Sequence, residues 1–231
     1  MFAGALANIG AYGLLRFGGA ILPGELELEL SATALIVIGT VSIAYGALQA
    51  IARRDTREVL AYSSIGHAGY VLVALGLGGP IGLAAAVIFS VANALSKTLL
   101  FLAAELRGRL VATAFLLGAL SVAGVPPSAG FFGKAALFEA GIAAGSAITV
   151  VLLFVGGALS FVYLFQIYQH DRWQPRAERE RAMPGEPTRA GQRAVTLAVA
   201  LVVLALGLWP EPLLAIGEQA GRDLVATGGR R

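Results

Sequence analysis

The sequence predicts an all-α fold: a polytopic transmembrane helix bundle with about seven spans, one of them discontinuous. Three observations predict it. Of the 231 residues, 57% are hydrophobic and only 13% charged, about half the charged share of an ordinary soluble domain. The apolar residues form continuous runs near the roughly 20 residues a spanning helix needs, where a barrel strand would alternate over about ten. The connectors between the runs also alternate in charge, as topology in a membrane requires.

The spans read, in order, at 2–22, 31–52, 59–78, 82–104, 110–144 (broken at 125–130), 146–168 and 194–209, within a single transmembrane domain covering 1–231. Residues 169–193 form a cytoplasmic connector and 210–231 a C-terminal tail. No cleavable signal is expected, because the first apolar run begins at Phe2 without a basic segment before it. The first connector carries Glu25, Glu27 and Glu29 and no base. The second, "RRDTRE", holds Arg53, Arg54 and Arg57. The third, "GLGGP", is neutral, and the fourth holds Arg107 and Arg109. The fifth is neutral apart from the nearby Glu139, and the sixth has six Arg against four acids. Every second connector is basic, which places the N-terminus in the cytoplasm under the positive-inside rule.

The stretch 110–144 is too long for one crossing: about 35 helical residues would extend roughly 50 Å. At its middle, "AGVPPSAGFFGK" contains Pro126, Pro127 and Gly130, which stop a helix. Two half-helices joined by an extended segment at membrane depth are expected, an arrangement tolerated where protein or a water-filled cavity satisfies the freed backbone groups. Two short interfacial helices with a loop are the alternative.

Charge placement then singles out candidate functional residues. The chain has 15 Arg and two Lys. Nearly all the Arg sit in connectors or at span ends, with Arg16 reaching an interface, whereas Lys97 falls inside the fourth span and Lys134 just after the Pro-Pro break. A buried charge costs several kcal/mol; a lysine can relieve that cost by releasing its proton and an arginine cannot. At helical spacing Ser90, Asn93 and Lys97 share one face, and Ser63, His67 and Tyr70 share another. These residues are candidate stations of a hydrated proton path, with His67 able to hold or pass a proton. Plainer roles remain open: Lys97 could snorkel, Lys134 could serve the C-terminal dipole of the preceding half-helix, and His67 could be a packing residue. Glu105 and Glu139 read as solvated, and Tyr163, Tyr168 and Trp209 as an aromatic belt.

Other chemistry is disfavoured. With no Cys and two distant His, disulfides, iron–sulfur ligation and a protein-supplied metal site are not expected, and no cofactor is assigned. No phosphate loop or nucleophile–base pair is present, so a membrane enzyme is a weak reading. Nucleic acid is not an expected partner, since the basic connector 169–193 also holds four acids and is explained by orientation.

Four stretches, "ALQAIARRDTREVLAYSSIGHAGYVLVALGLG", "NALSKTLLFLAAE", "LLGALSVAGVPPSAGFFGK" and "GLWPEPLL", resemble the proton-translocating antiporter-like membrane subunits shared by Mrp-type cation/proton antiporters and respiratory complex I. The last piece is most similar to the D-type component of the Mrp antiporters. The likeness covers only the C-terminal half of such proteins. It implies one five-helix repeat of the inverted-repeat antiporter fold, made by spans two to six, with Lys97 matching the central relay lysine and Lys134 the lysine of the broken helix. It further implies a multi-pass subunit of the inner (plasma) membrane that contacts lipid and other membrane subunits and moves protons, or Na⁺ against protons. Any NADH–quinone oxidoreductase activity would then belong to the complex. Departures from the pattern are Asn8, where relatives have a lysine or histidine, and Phe89 and Asn93, where they have histidines; His67 stands where they often have glutamine. A truncated or structural subunit that does not conduct is the competing expectation.

Overall fold

The computed structural model describes residues 25–106, 108–172 and 190–228, with Gly10 and Gly13. Apart from those two glycines the first expected span (2–22), with Asn8 and Arg16, lies outside the described residues, as do Arg107 and most of the connector 169–193. Among those described, the chain is helical without strands. The helices are α1 (Glu25–Ile51), α2 (Thr56–Leu77), α3 (Gly79–Ala104), α4 (Arg109–Ala123), α5 (Ala129–Ala143), α6 (Ala147–Arg172), α7 (Ala190–Leu208) and α8 (Glu211–Gly228). Five of them, α1, α2, α3, α6 and α7, contain stretches long and apolar enough to cross a membrane.

The first pair packs through small residues. A Cβ on Gly39 would meet the Gly69 carbonyl oxygen at 2.6 Å, and one on Gly46 would meet the Gly66 nitrogen at 2.5 Å. Glycine on both helices thus lets α1 and α2 touch backbone to backbone, the way membrane helices associate without a hydrophobic driving force. Asp55 caps α2, its Oδ1 accepting from the backbone N–H of Arg57 at 2.7 Å and of Glu58 at 3.3 Å. At the far end Gly78 and Gly79, both at positive φ, turn the chain into α3. Near the Asp55 end of α2, Arg57 pairs with Glu105 at 3.3 Å on the surface.

Residues 110–144 form a broken helix. α4 ends in a left-handed Gly124 (φ 82°), whose N–H donates to Ser121 O at 3.1 Å while that of Val125 donates to Leu120 O at 2.8 Å. This pair of bonds closes a helix C-terminus. The chain then passes through Val125–Ser128, with a cis bond between Pro126 and Pro127, and re-enters helix as α5. Two clamps hold the break. Gly130 N–H donates to Ser121 Oγ at 3.0 Å, and Ser121 Oγ in turn pairs with Ser96 Oγ of α3 at 2.7 Å. On the other side α7 comes so close that a Cβ on Gly207 would lie 2.4 Å from Pro127 O.

Residues 211–228, expected as part of a tail, are instead the helix α8. Leu213, Gly217 and Gly221 are its buried positions, spaced by four so that one face packs on α3, where a Cβ on Gly221 would meet Pro80 O at 2.6 Å. Its polar residues fall on the other face, with Glu218 and Arg222 4.0 Å apart. Mean hydropathy is low in such an amphipathic helix, which hid it from a search for apolar runs.

Candidate functional site

Both lysines are enclosed: Lys97 is 1% and Lys134 6% exposed. Lys97 therefore does not snorkel. Its side chain leaves α3 and crosses to α2, where Nζ donates to Leu60 O at 3.3 Å and to Ser63 Oγ. Lys134 leaves α5 and returns to the end of α4, Nζ donating to Ala123 O at 2.8 Å. That carbonyl belongs to the last turn of a helix and has no intrahelical partner, so the amine satisfies an orphan acceptor at the negative end of the α4 dipole. Room for Lys134 comes from two glycines: a Cβ on Gly124 would lie 2.5 Å from its Cδ, and one on Gly157 would lie 3.3 Å from Nζ. Among the described residues neither amine has an ion-pair partner within 4.0 Å.

Between the two amines lies the polar face of α2. Ser63, His67 and Tyr70 are all buried. His67 Nδ1 bonds the Ser63 carbonyl, and its ring packs against both Tyr70 and Phe89, 5.9 Å from each, the three rings forming a triangle. Tyr70 donates to Leu153 O at 3.4 Å, and the Lys134 ammonium sits 5.6 Å from the centre of its ring, in cation–π range. The structure thus brings Lys97, Ser63, His67, Tyr70 and Lys134 into one buried row.

Among the described residues no hydrogen bond joins Ser90 Oγ or Asn93 Oδ1 to this row. They share a face of α3 with Lys97, but that amine turns to α2, and Ser90 Oγ and Asn93 Oδ1 are buried without a hydrogen-bond partner among the described residues. Pro126, Pro127 and Gly130 make the break itself. Gly130 is obligatory there, since a Cβ would fall 1.7 Å from Ser121 O.

Helix α6 supplies residues that the sequence reading missed. Tyr163, expected in an aromatic belt, is 2% exposed and inside the bundle, near the hydroxyls of Ser160 and Ser63, while Ser160 also neighbours Tyr70. Gly156 lets the Tyr70 hydroxyl approach, as its Cβ would lie 2.5 Å from that oxygen. Gly156, Ser160 and Tyr163 follow the same i, i+4, i+7 spacing that drew attention to Ser63, His67 and Tyr70, so the signal was present. By contrast, nothing in the sequence marks Ser96 and Ser121 as a pair.

With this geometry in view, comparison with known proteins is informative. Residues 1–160 match the family model described as NADH:quinone oxidoreductase/Mrp antiporter, TM. The chain belongs to that family. As a member of the NADH:quinone oxidoreductase/Mrp antiporter family, it is 30% identical over 241 residues to NADH-quinone oxidoreductase subunit N 2 of Solidesulfovibrio magneticus, covering 96% of this chain and 50% of the relative. Among solved structures, a chain of the Mrp complex from Dietzia sp. DQ12-45-1b superposes with a TM-score of 0.80 at 24% identity, over 94% of this chain and 51% of that one. A chain of the membrane-bound sulfane sulfur reductase, an archaeal respiratory membrane complex, gives 0.85 at 23% identity, over 97% and 48%. These two likenesses are of fold. The chain spans about half the length of the curated relatives it matches.

Proposed function

We propose that this membrane protein provides part of a proton, or coupled Na⁺/H⁺, pathway through Lys97 and Lys134, as a non-catalytic subunit of an Mrp-type or complex I-like assembly. One observation carries the reading: two enclosed amines, each held by neutral oxygens and not by a carboxylate, are connected through Ser63, His67 and Tyr70. A lysine so held can exist with or without its proton, whereas a salt-bridged one is pinned in the charged form. Neighbouring membrane subunits and lipid would cover the apolar outer faces of α1 and α6, on which Val37, Val41, Leu48, Phe154 and Phe165 are exposed. The basic connectors at Arg53, Arg54, Arg57 and Arg109 support an inner-membrane topology with a cytoplasmic N-terminus.

The test is Lys134→Met in sealed membrane vesicles carrying the assembled complex, with a trapped pH-sensitive dye. Proton flux is expected to fall to background while the variant still co-migrates with the complex on a native gel. Unchanged flux overturns the reading in favour of a structural, non-conducting subunit. That second reading draws on Asn93 and Ser90, which have unpartnered polar atoms, and on Phe89, an apolar ring packed beside His67.

A further inference from the structure

A cleft of about 680 Å³ separates the broken helix from α6, within the roughly 300–1,000 Å³ range of small-molecule pockets. Its walls are aromatic, with Phe131 and Phe138 on α5 and Phe154 and Phe161 on α6. Phe154 and Phe161 are also exposed on the outside of the bundle, so the cleft opens sideways, where lipid lies in a membrane. Lys134 lines it together with Ala123 and Gly157, the residues beside its amine: Nζ donates to Ala123 O at 2.8 Å, and a Cβ on Gly157 would lie 3.3 Å from Nζ. The buried amine therefore marks the inner end of an apolar slot. Its charge, when protonated, meets no carboxylate within 4.0 Å among the described residues, and one bond to Ala123 leaves two of its three donors for a ligand. Glu139 also borders the slot, but at the rim: it is exposed, about 140° around α5 from Lys134, and shared with a second cleft against α8.

We infer that this slot binds a long-chain fatty acid, its carboxylate on the Lys134 ammonium and its alkyl chain along the four phenylalanines. Charge selects the head. An unbalanced cation in apolar surroundings is costly, and a carboxylate neutralises it through charge-assisted hydrogen bonds. The walls select the body, because an alkyl chain buries apolar surface along the whole slot. A carboxylate side chain reaching in from a neighbouring subunit would meet the amine and leave the aromatic walls uncovered. A phospholipid carries its charge on a bulky, hydrated head, which the buried end of the slot does not admit. The inference needs only the placement of Lys134 and its walls, and it holds whether or not the chain conducts.

The probe is hexadecanoic acid with a diazirine in its chain, photo-crosslinked to the assembled complex in membrane vesicles and mapped by peptide mass spectrometry. In wild type, label is expected within 131–142 and 154–161, displaced by excess hexadecanoate and not by hexadecanol. Lys134→Met should cut this labelling about tenfold or more, the size of a lost hydrogen bond to a charged group. Ala158→Phe should cut it similarly with the amine still in place, because Ala158 is exposed and lines the slot, so the added ring fills it without entering the core. Glu139→Gln, which removes a repelling charge from the rim, should raise labelling. Ile81→Phe, in the wall of the other cleft, should match wild type. Label that hexadecanol displaces equally well, or that survives Lys134→Met, overturns the proposal. So does a wild-type complex that takes no label in these segments, which assigns the slot to a neighbouring subunit. Proton flux is read separately: lost flux with Lys134-independent labelling sinks the fatty-acid site alone, and Lys134-dependent labelling with unchanged flux in Lys134→Met sinks the pathway alone.

Discussion

Replacing Gly130 with alanine tests directly how the helix break is built. The added methyl would sit 1.7 Å from Ser121 O, 2.5 Å from its carbonyl carbon and 2.9 Å from its Oγ. Ordinary carbon contacts lie at about 3.5 Å, so α5 must retreat from α4 by about 1.8 Å, and the obstacle is main chain that no rotamer change can move. Overpacking of this kind costs about 3 kcal/mol or more. The retreat also breaks the 3.0 Å bond from Gly130 N–H to Ser121 Oγ, adding about 1 kcal/mol. At roughly 2–4 °C per kcal/mol for a chain of this size, the unfolding midpoint should drop by about 8–16 °C, read at a fixed scan rate in one detergent. Gly118→Ala is the matched control. Its methyl would meet only the Leu100 and Leu99 side chains, at 3.1–3.3 Å, and the helix gains about 1 kcal/mol of intrinsic preference for alanine, so its midpoint should hold or rise. A Gly130→Ala midpoint within about 2 °C of wild type would refute this account of the break.

Two further substitutions separate structural from conducting roles. Ser121→Ala removes the hydroxyl that accepts from Gly130 N–H and donates to Ser96 Oγ, which itself donates to Ala92 O, and should cost about 1–3 kcal/mol by leaving the buried Gly130 N–H unmet; the Ser96→Ala/Ser121→Ala double variant should lose less than the sum of the singles in denaturant titrations. Asp55→Ala removes the cap of α2 and should cost about 1 kcal/mol in the same titration, with proton flux unaltered because the residue sits on the connector, away from both lysines.

The broken helix was legible because Pro126 and Pro127 forbid helix whatever surrounds them, and because 35 apolar residues are too many for one crossing. The lysines were legible because charge stands out against an apolar background. What surrounds them was less so, since periodicity assigns a residue to a face without saying which neighbour that face meets. Ser90, Asn93 and Lys97 share a face, yet Ser90 and Lys97 stand seven residues apart, about 10 Å along the axis, and the amine finds its partners on α2. Tyr163 shows the same limit. An aromatic in an apolar run suits an interface or a bundle interior equally well, and only the packing of α6 against α2 decides. For α8 the obstacle was different: average hydropathy cannot reveal a helix that is apolar on a single face.

Where the resembled family places histidine, this chain has Phe89, and the consequence can be followed physically. Phe89 stacks on His67 and tilts against Tyr70, with ring centres 5.9 and 5.2 Å away. The α3 side of the row is thereby closed with an apolar ring. On the opposite side, Gly156 and Gly157 remove side chains just where Tyr70 and Lys134 need space, and Ser160 and Tyr163 present hydroxyls. The hydroxyls beside the row on this side therefore come from α6, while His67 is anchored through Nδ1 to the Ser63 carbonyl. With no carboxylate in the row to balance them, two protonated amines would repel each other across a poorly screened interior. Under the proposed function that repulsion drives transfer: a proton arriving at one lysine raises the cost of keeping one on the other.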